Sequence, residues 1–186
     1  MLIDITLEMT AQKISDVPEH RQQSLVGHVG THFDVMEQEF PLEYTRRRGI
    51  VFNVSSVQGR DIDLGDIPIE AVERDMFVAF RTGFIEEVGY GEEGYFSAHP
   101  QLSDALIDAL LEREISIIGV DFAGIRRGKE HVPKDRLCAN HGVFVIENLC
   151  NLKAVLDCGG RFTAHTYPVR YTGMTGLPCR VIAEVE

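Results

Sequence analysis

The stretch GHVGTHFDVMEQ, residues 27–38, gathers His28, His32 and Asp34 into seven positions of a chain that has only seven histidines. Two imidazoles and a carboxylate are a ligand set for a divalent ion, and the donor types suit zinc or manganese alike. The pattern H-x-x-x-H-x-D is expected roughly 0.02 times by chance in a chain of this composition. Helical spacing would put residues 28 and 32 on one face and turn residue 34 away from it. Strand spacing gives all three the same parity and one side. Gly27, Gly30 and the β-branched neighbours favour the extended form. A straight strand over these positions would span roughly 20 Å, too far for metal bonds of about 2.1 Å. The chain is therefore expected to bend at Gly30, the residue that permits it.

The elements that must position such a site alternate along the chain. Ile3–Leu7, Ile50–Val57, Asp75–Arg81, Ile115–Val120, Val143–Ile146, Arg161–Val169 and Arg180–Val185 read as strands from their apolar, β-branched runs. Leu102, Ala105, Leu106, Ala109 and Leu110 recur at helical spacing, with Ser103 or Asp104 near the N-cap. Strand, helix, strand over 75–120 predicts a right-handed βαβ crossover. Glu86–Gly94 and Arg126–Lys134 read as loops, the second charged and mobile. Strands outnumber helices, which predicts an α/β fold with a strongly β core.

At 186 residues the chain is expected to form one domain, residues 1–186, with a substantial core. Its formal charge of −11 disfavours nucleic-acid and anionic-membrane partners. The N-terminal MLIDITLEMT lacks a basic signal-peptide region, and no apolar run is long enough to span a bilayer. Cys138, Cys150, Cys158 and Cys179 show no C-x-x-C spacing and read as free thiols of a cytoplasmic protein.

HVGTHFD resembles the H-x-G-T-H-x-D motif of the cyclase-like metal-dependent hydrolases, the family that includes bacterial kynurenine formamidase. The likeness continues in order through FRTGF (80–84), HPQLSDALIDALLE (99–112), IIGVDFAGI (117–125), HGVFVIENL (141–149) and the C-terminal YPVRYTGMTGLPCRVIAEV. It implies a compact α/β domain of the swivelling β/β/α type. Such a domain has a β-barrel-like core, a few flanking helices and a homodimeric or larger assembly.

Carried over residue by residue, the resemblance makes His28, His32 and Asp34 ligands of a divalent ion, with Asp34 able to bridge to a second. A second ion in the family is completed by a glutamate and by a histidine twelve residues before it. The glutamate maps onto Glu147, and the histidine's position holds Asp135. Asp135 reads either as a ligand or as the N-cap of a short helix, with His131 and His141 near enough in sequence to replace the histidine. Downstream of Asp34 the family reads Asp-x-Pro-x-His, and its last histidine is thought to move the proton. Met36 and Gln38 stand here instead. A Gln amide can orient a water or a carbonyl but cannot act as acid or base. Gln38 and His165 are the catalytic candidates, with Glu37, Glu39 and His20 as other sources of a proton-transfer group. His99 is expected to shape a loop, and Asp121 to serve as a turn or cap residue.

Two functions follow as expectations. One is an arylformamidase-like hydrolase that opens an amide or cyclic C–N bond of a small-molecule substrate with one or two zinc or manganese ions. The other is a catalytically impaired relative that binds metal or ligand, favoured by Gln38 and Asp135.

Overall fold

In the computed structural model, residues 1–10 and 27–186 are described; His20 lies outside the described residues. The strands are β1 (Leu2–Asp4), β2 (His32–Asp34), β3 (Arg46–Asn53), β4 (Phe77–Arg81), β5 (Ile117–Val120), β6 (Phe144–Glu147), β7 (Arg161–Pro168) and β8 (Gly176–Glu184). Strands β8, β2, β6, β5, β4, β3 and β7 pair in that order, and β7 pairs back onto β8. This closes a seven-stranded β-barrel. β8 is long enough to hold β2 over Gly176–Pro178 and β1 over Ile182–Glu184, opposite its edge with β7. The β3–β4, β4–β5 and β5–β6 pairs are parallel, and the others are antiparallel.

Four helices flank the barrel among the described residues: α1 (Phe84–Glu87), α2 (Asp104–Glu112), α3 (His131–Asn140) and α4 (Leu152–Asp157). Ser103 caps α2, its Oγ accepting from Leu106 N–H at 3.1 Å. The apolar stripe of α2 buries Leu106, Ile107 and Leu110 against Val78, Phe80, Ile118, Val120 and Val145, so these strand residues face outward. The alternate residues, including Phe33, Val51, Phe77, Ile117, Ile146, Phe162, Val181 and Ala183, fill the interior. The strands expected from sequence are present with ends displaced by a few residues, and β4–α2–β5 is a parallel crossover.

Two segments differ from expectation. The acidic loop beginning at Glu86 is preceded and entered by the single turn of α1. The stretch 126–134 is not a loop throughout: it contains a 3-10 turn (Gly128–Glu130) and the start of α3. The four cysteines are free thiols, and no helix among the described residues is long and apolar enough to cross a membrane.

Candidate metal centre

β2 is only three residues long, and its middle residue, Phe33, points into the barrel. His32 and Asp34 must therefore project from the outer face. Across the antiparallel β2–β6 pair, His32 is opposite Glu147 and Asp34 is opposite Val145, so Glu147 shares that face. Helix α3 covers it. His131 and Asp135, one turn apart, extend from the same side of α3 toward the strands.

His28 reaches the cluster by a bent loop rather than along a strand. Gly27 and Gly30 have φ of 86° and 67°, in the left-handed region that glycine adopts without strain. A Cβ on Gly30 would also stand 2.7 Å from the Met9 side chain. The bend expected at Gly30 is thus present, while the strand expected around it is confined to 32–34.

The donor atoms of His28, His32 and Asp34 all lie within 4.8 Å of one another, as do those of Asp34, His131, Asp135 and Glu147. Asp34 belongs to both sets. His28 Nδ1 is 2.9 Å from Asp34 Oδ1 and 3.0 Å from His32 Nε2, and His32 Nε2 is 3.5 Å from Asp34 Oδ1. Donors on bonds of about 2.1 Å stand about 3.0–3.4 Å apart across angles of 90–109°. In the second set His131 Nε2 lies 3.1 Å from Asp135 Oδ2 and 3.0 Å from Glu147 Oε1. His32 Nε2 links the sets at 3.6 Å from Glu147 Oε2.

The chemistry of these donors fits a divalent cation. Asp34, Asp135 and Glu147 are buried carboxylates. Both oxygens of Asp34 and of Asp135, and Oε1 of Glu147, have no aligned hydrogen bond among the described residues. Burying such groups without compensation is expensive. Protons compensate in the metal-free chain. Burial opposes charge on His32, but Asp34 and Glu147 outweigh it and raise its pKa to about 9. Burial likewise opposes charge on His131, but the close carboxylates of Asp135 and Glu147 raise it to about 12. Burial would raise Asp34, yet the facing histidines hold its carboxyl far below the usual range. Burial pushes Asp135 up to about 7.

Outer partners aim the imidazoles. His32 Nδ1 donates to Gly30 O at 2.9 Å, which leaves Nε2 for the cluster. His28 Nε2 bonds Thr175 Oγ1 at 2.9 Å, which leaves Nδ1. Gly124 makes room for His131, since a Cβ there would meet its ring at 2.7 Å.

Other residues stand elsewhere. Asp135 is in the second turn of α3 and fully buried, so it is not an N-cap. His141 Nδ1 bonds Leu137 O on the exposed side of the helix end. Gln38, a catalytic candidate from the sequence, points away from the ligands, which corrects that expectation. A tight turn through Met36 (φ 46°) and Glu37 (φ 71°), closed by Gln38 N–H to Val35 O at 2.8 Å, ends the extended parity. Gln38 is exposed and donates to Asn140 Oδ1 at 3.2 Å. Glu37 and Glu39 are exposed as well. His165 pairs with Glu184 at 2.9 Å on β7 and β8 and joins neither set of donors. Asp121 accepts from Thr82 N–H, Thr82 Oγ and Gly83 N–H, the bonding of a turn residue. His99 is buried, stacked on Phe122, with Nδ1 donating to Pro100 O at 2.7 Å. The family resemblance puts a histidine at position 135; here His131 stands beside Glu147, with Nε2 3.0 Å from Oε1.

The family model described as "Putative cyclase" matches residues 3–126, two thirds of the chain. The chain belongs to the Cyclase family. The matched region carries His28, His32 and Asp34, and it ends before the Cyclase-family chain reaches His131, Asp135 and Glu147. The fold is similar to that of a potential metal-dependent hydrolase with cyclase activity, at TM-score 0.77 and 22% identity over 98% of this chain and 96% of that one. It is also similar to a predicted metal-dependent hydrolase from Bacillus stearothermophilus, at TM-score 0.73 and 22% identity over 98% and 97%. Isatin hydrolase A from Labrenzia aggregata aligns at TM-score 0.72 and 18% identity over 100% and 94%. At these identities the likeness is one of fold. No curated protein matches the sequence.

Proposed function

We propose that the protein is a hydrolase of a small-molecule amide or cyclic C–N bond, working with one or two divalent ions, zinc or manganese. The observation that carries this reading is Asp34, fully buried and common to two converging sets of donors. His28 Nδ1, His32 Nε2 and Asp34 would hold one ion; Asp34, His131, Asp135 and Glu147 would hold a second. A bound ion supplies a Lewis acid for the carbonyl and lowers the pKa of water toward neutrality.

The chain's own part is to hold the donors on two strands, a helix and the glycine-bent loop of His28, which fixes them better than loops alone would. With Gln38 outside the cluster, His131 is the titrating group placed to exchange a proton with substrate when only the first ion is bound. Its side chain is 31% exposed, whereas Asp34 and Asp135 are fully enclosed. The same pairing weakens the case for an impaired relative, because the histidine missing at position 135 is replaced by His131 four residues earlier. Fold relatives that include isatin hydrolase support a cyclic amide among the substrates.

The test is hydrolysis of an N-formyl aryl amide and of isatin by chelator-stripped protein, before and after addition of zinc or manganese. Turnover restored by metal supports the reading. Metal binding with no turnover of either substrate class favours a binding protein instead.

A further inference from the structure

The one glycine at which the HVGTH segment bends is held on both sides by groups outside that segment. Gly30 N–H donates to Tyr90 Oη at 3.0 Å, and Gly30 O accepts from Asn148 Nδ2 at 2.9 Å. The same carbonyl accepts from His32 Nδ1. A carbonyl oxygen can only accept, so the direction of every bond in this chain is forced. Asn148 must present its NH2 to Gly30, its Oδ1 then faces Tyr95, and the Tyr95 hydroxyl donates to it at 2.8 Å. His32 Nδ1 must carry its proton, which leaves the Nε2 lone pair for the cluster.

Asn148 also follows Glu147 directly. Its backbone is left-handed, with φ 59°, a conformation most side chains avoid and Asn tolerates. Its N–H donates to Phe122 O at 3.1 Å, and its carbonyl accepts from Thr31 Oγ at 2.8 Å. One residue therefore ties the strand that carries Glu147 to the peptide that orients His32. Tyr95 and Asn148 are both buried, so no water competes for these bonds.

We propose that Asn148, backed by Tyr95, is a positioning residue for the ion site of His28, His32 and Asp34: its amide pins the Gly30 carbonyl that aims His32 Nε2. This rests on the metal-centre reading above. Outer partners of metal-bound histidines are worth about ten- to a hundredfold in metal affinity. Asn148→Asp keeps a side chain that tolerates the left-handed backbone and can still accept from Tyr95, but it loses the donor to Gly30. Asn148→Gly keeps the backbone and loses both bonds. Tyr95→Phe removes one hydroxyl.

The experiment titrates Co²⁺ and Zn²⁺ into native and variant protein against a competing chelator and records the visible spectrum of the cobalt form. Circular dichroism in chelator checks that each variant is folded. Asn148→Asp and Asn148→Gly are expected to bind Co²⁺ about ten- to a hundredfold more weakly, with a shifted spectrum, and Tyr95→Phe severalfold more weakly. A merely structural role would lower thermal stability in chelator and leave the spectrum of the cobalt form unchanged. Folded Asn148→Asp protein with native affinity and spectrum overturns the proposal. Should the Asn148 variants not fold, Tyr95→Phe decides it on the same two readouts. Native protein that binds no Co²⁺ overturns the site reading and this inference with it, whereas native binding with unaltered variants overturns this inference alone.

Discussion

His32 and Glu147 stand directly opposite each other on antiparallel β2 and β6, with Nε2 and Oε2 3.6 Å apart. That register joins the two sets of donors. A shift of one residue would turn His32 and Asp34 into the barrel and send Phe33 out to helix α3. The apolar preference of Phe33 for the interior therefore fixes which side of the wall carries the ligands.

Removing a ligand from the first set should abolish binding there. His32→Gln and Asp34→Asn are each expected to weaken the metal by more than the roughly hundredfold that an outer partner can supply. Elemental analysis after dialysis against trace zinc checks this. Retention of the native protein's full metal content by either variant would remove that residue from the site.

Asp135→Asn and His131→Gln should act on the second set alone. In manganese-saturated protein the expected result is loss of one ion and retention of the other, read as a fall in metal stoichiometry. With metal sufficient for the first ion only, His131→Gln should also lower turnover by about 10² or more if its imidazole moves the proton. Unchanged stoichiometry in both variants would confine the protein to a single-ion site.

The turn at Met36 and Glu37 predicts that position 38 is silent. Gln38→Ala, Gln38→His and His165→Ala are surface changes of the kind usually worth within about 0.5 kcal/mol, so turnover and thermal midpoint should stay within about twofold and a few degrees. A large gain of activity in Gln38→His would mean that this segment moves over the site.

His99 gives the pH dependence of stability a definite sign. Burial, which outweighs its bond to Pro100, depresses its pKa to about 4 from an ordinary 6.5. The folded protein then binds fewer protons than the unfolded chain between those values. Its contribution is present above pH 6.5 and is lost as pH falls through that window, on the order of 3 kcal/mol by pH 4. In chelator, to remove the metal contribution, native protein should lose more thermal stability between pH 7 and pH 5 than His99→Gln. Equal losses would contradict the burial argument.

The first ligand set was legible in sequence because its residues are adjacent in the chain and one glycine provides the bend. Glu147 was legible as an acid directly after a run of strand residues. The second set was less so. α3 buries Asp135 and Cys138 rather than an apolar stripe, so HVPKDRLCAN carries little helical periodicity. The segment reads as a charged loop, and the i, i+4 relation of His131 and Asp135 disappears with the helix. The place of Gln38 away from the ligands was not legible, because the chain turns directly after β2. Residues 36 and 37 are not glycine, yet both adopt positive φ, and nothing in MEQ announces that turn. The barrel itself is long-range pairing of short strands, which periodicity detects strand by strand but does not order.

The central claim is that His28, His32 and Asp34 hold a divalent ion. The most direct measurement is anomalous diffraction at the manganese or zinc edge from a metal-soaked crystal. The account predicts a peak about 2.1 Å from His28 Nδ1, His32 Nε2 and an Asp34 oxygen, with any second peak on the Glu147 side of Asp34. A saturating soak that leaves no peak at Asp34, or a peak without His32 in its coordination shell, would contradict it.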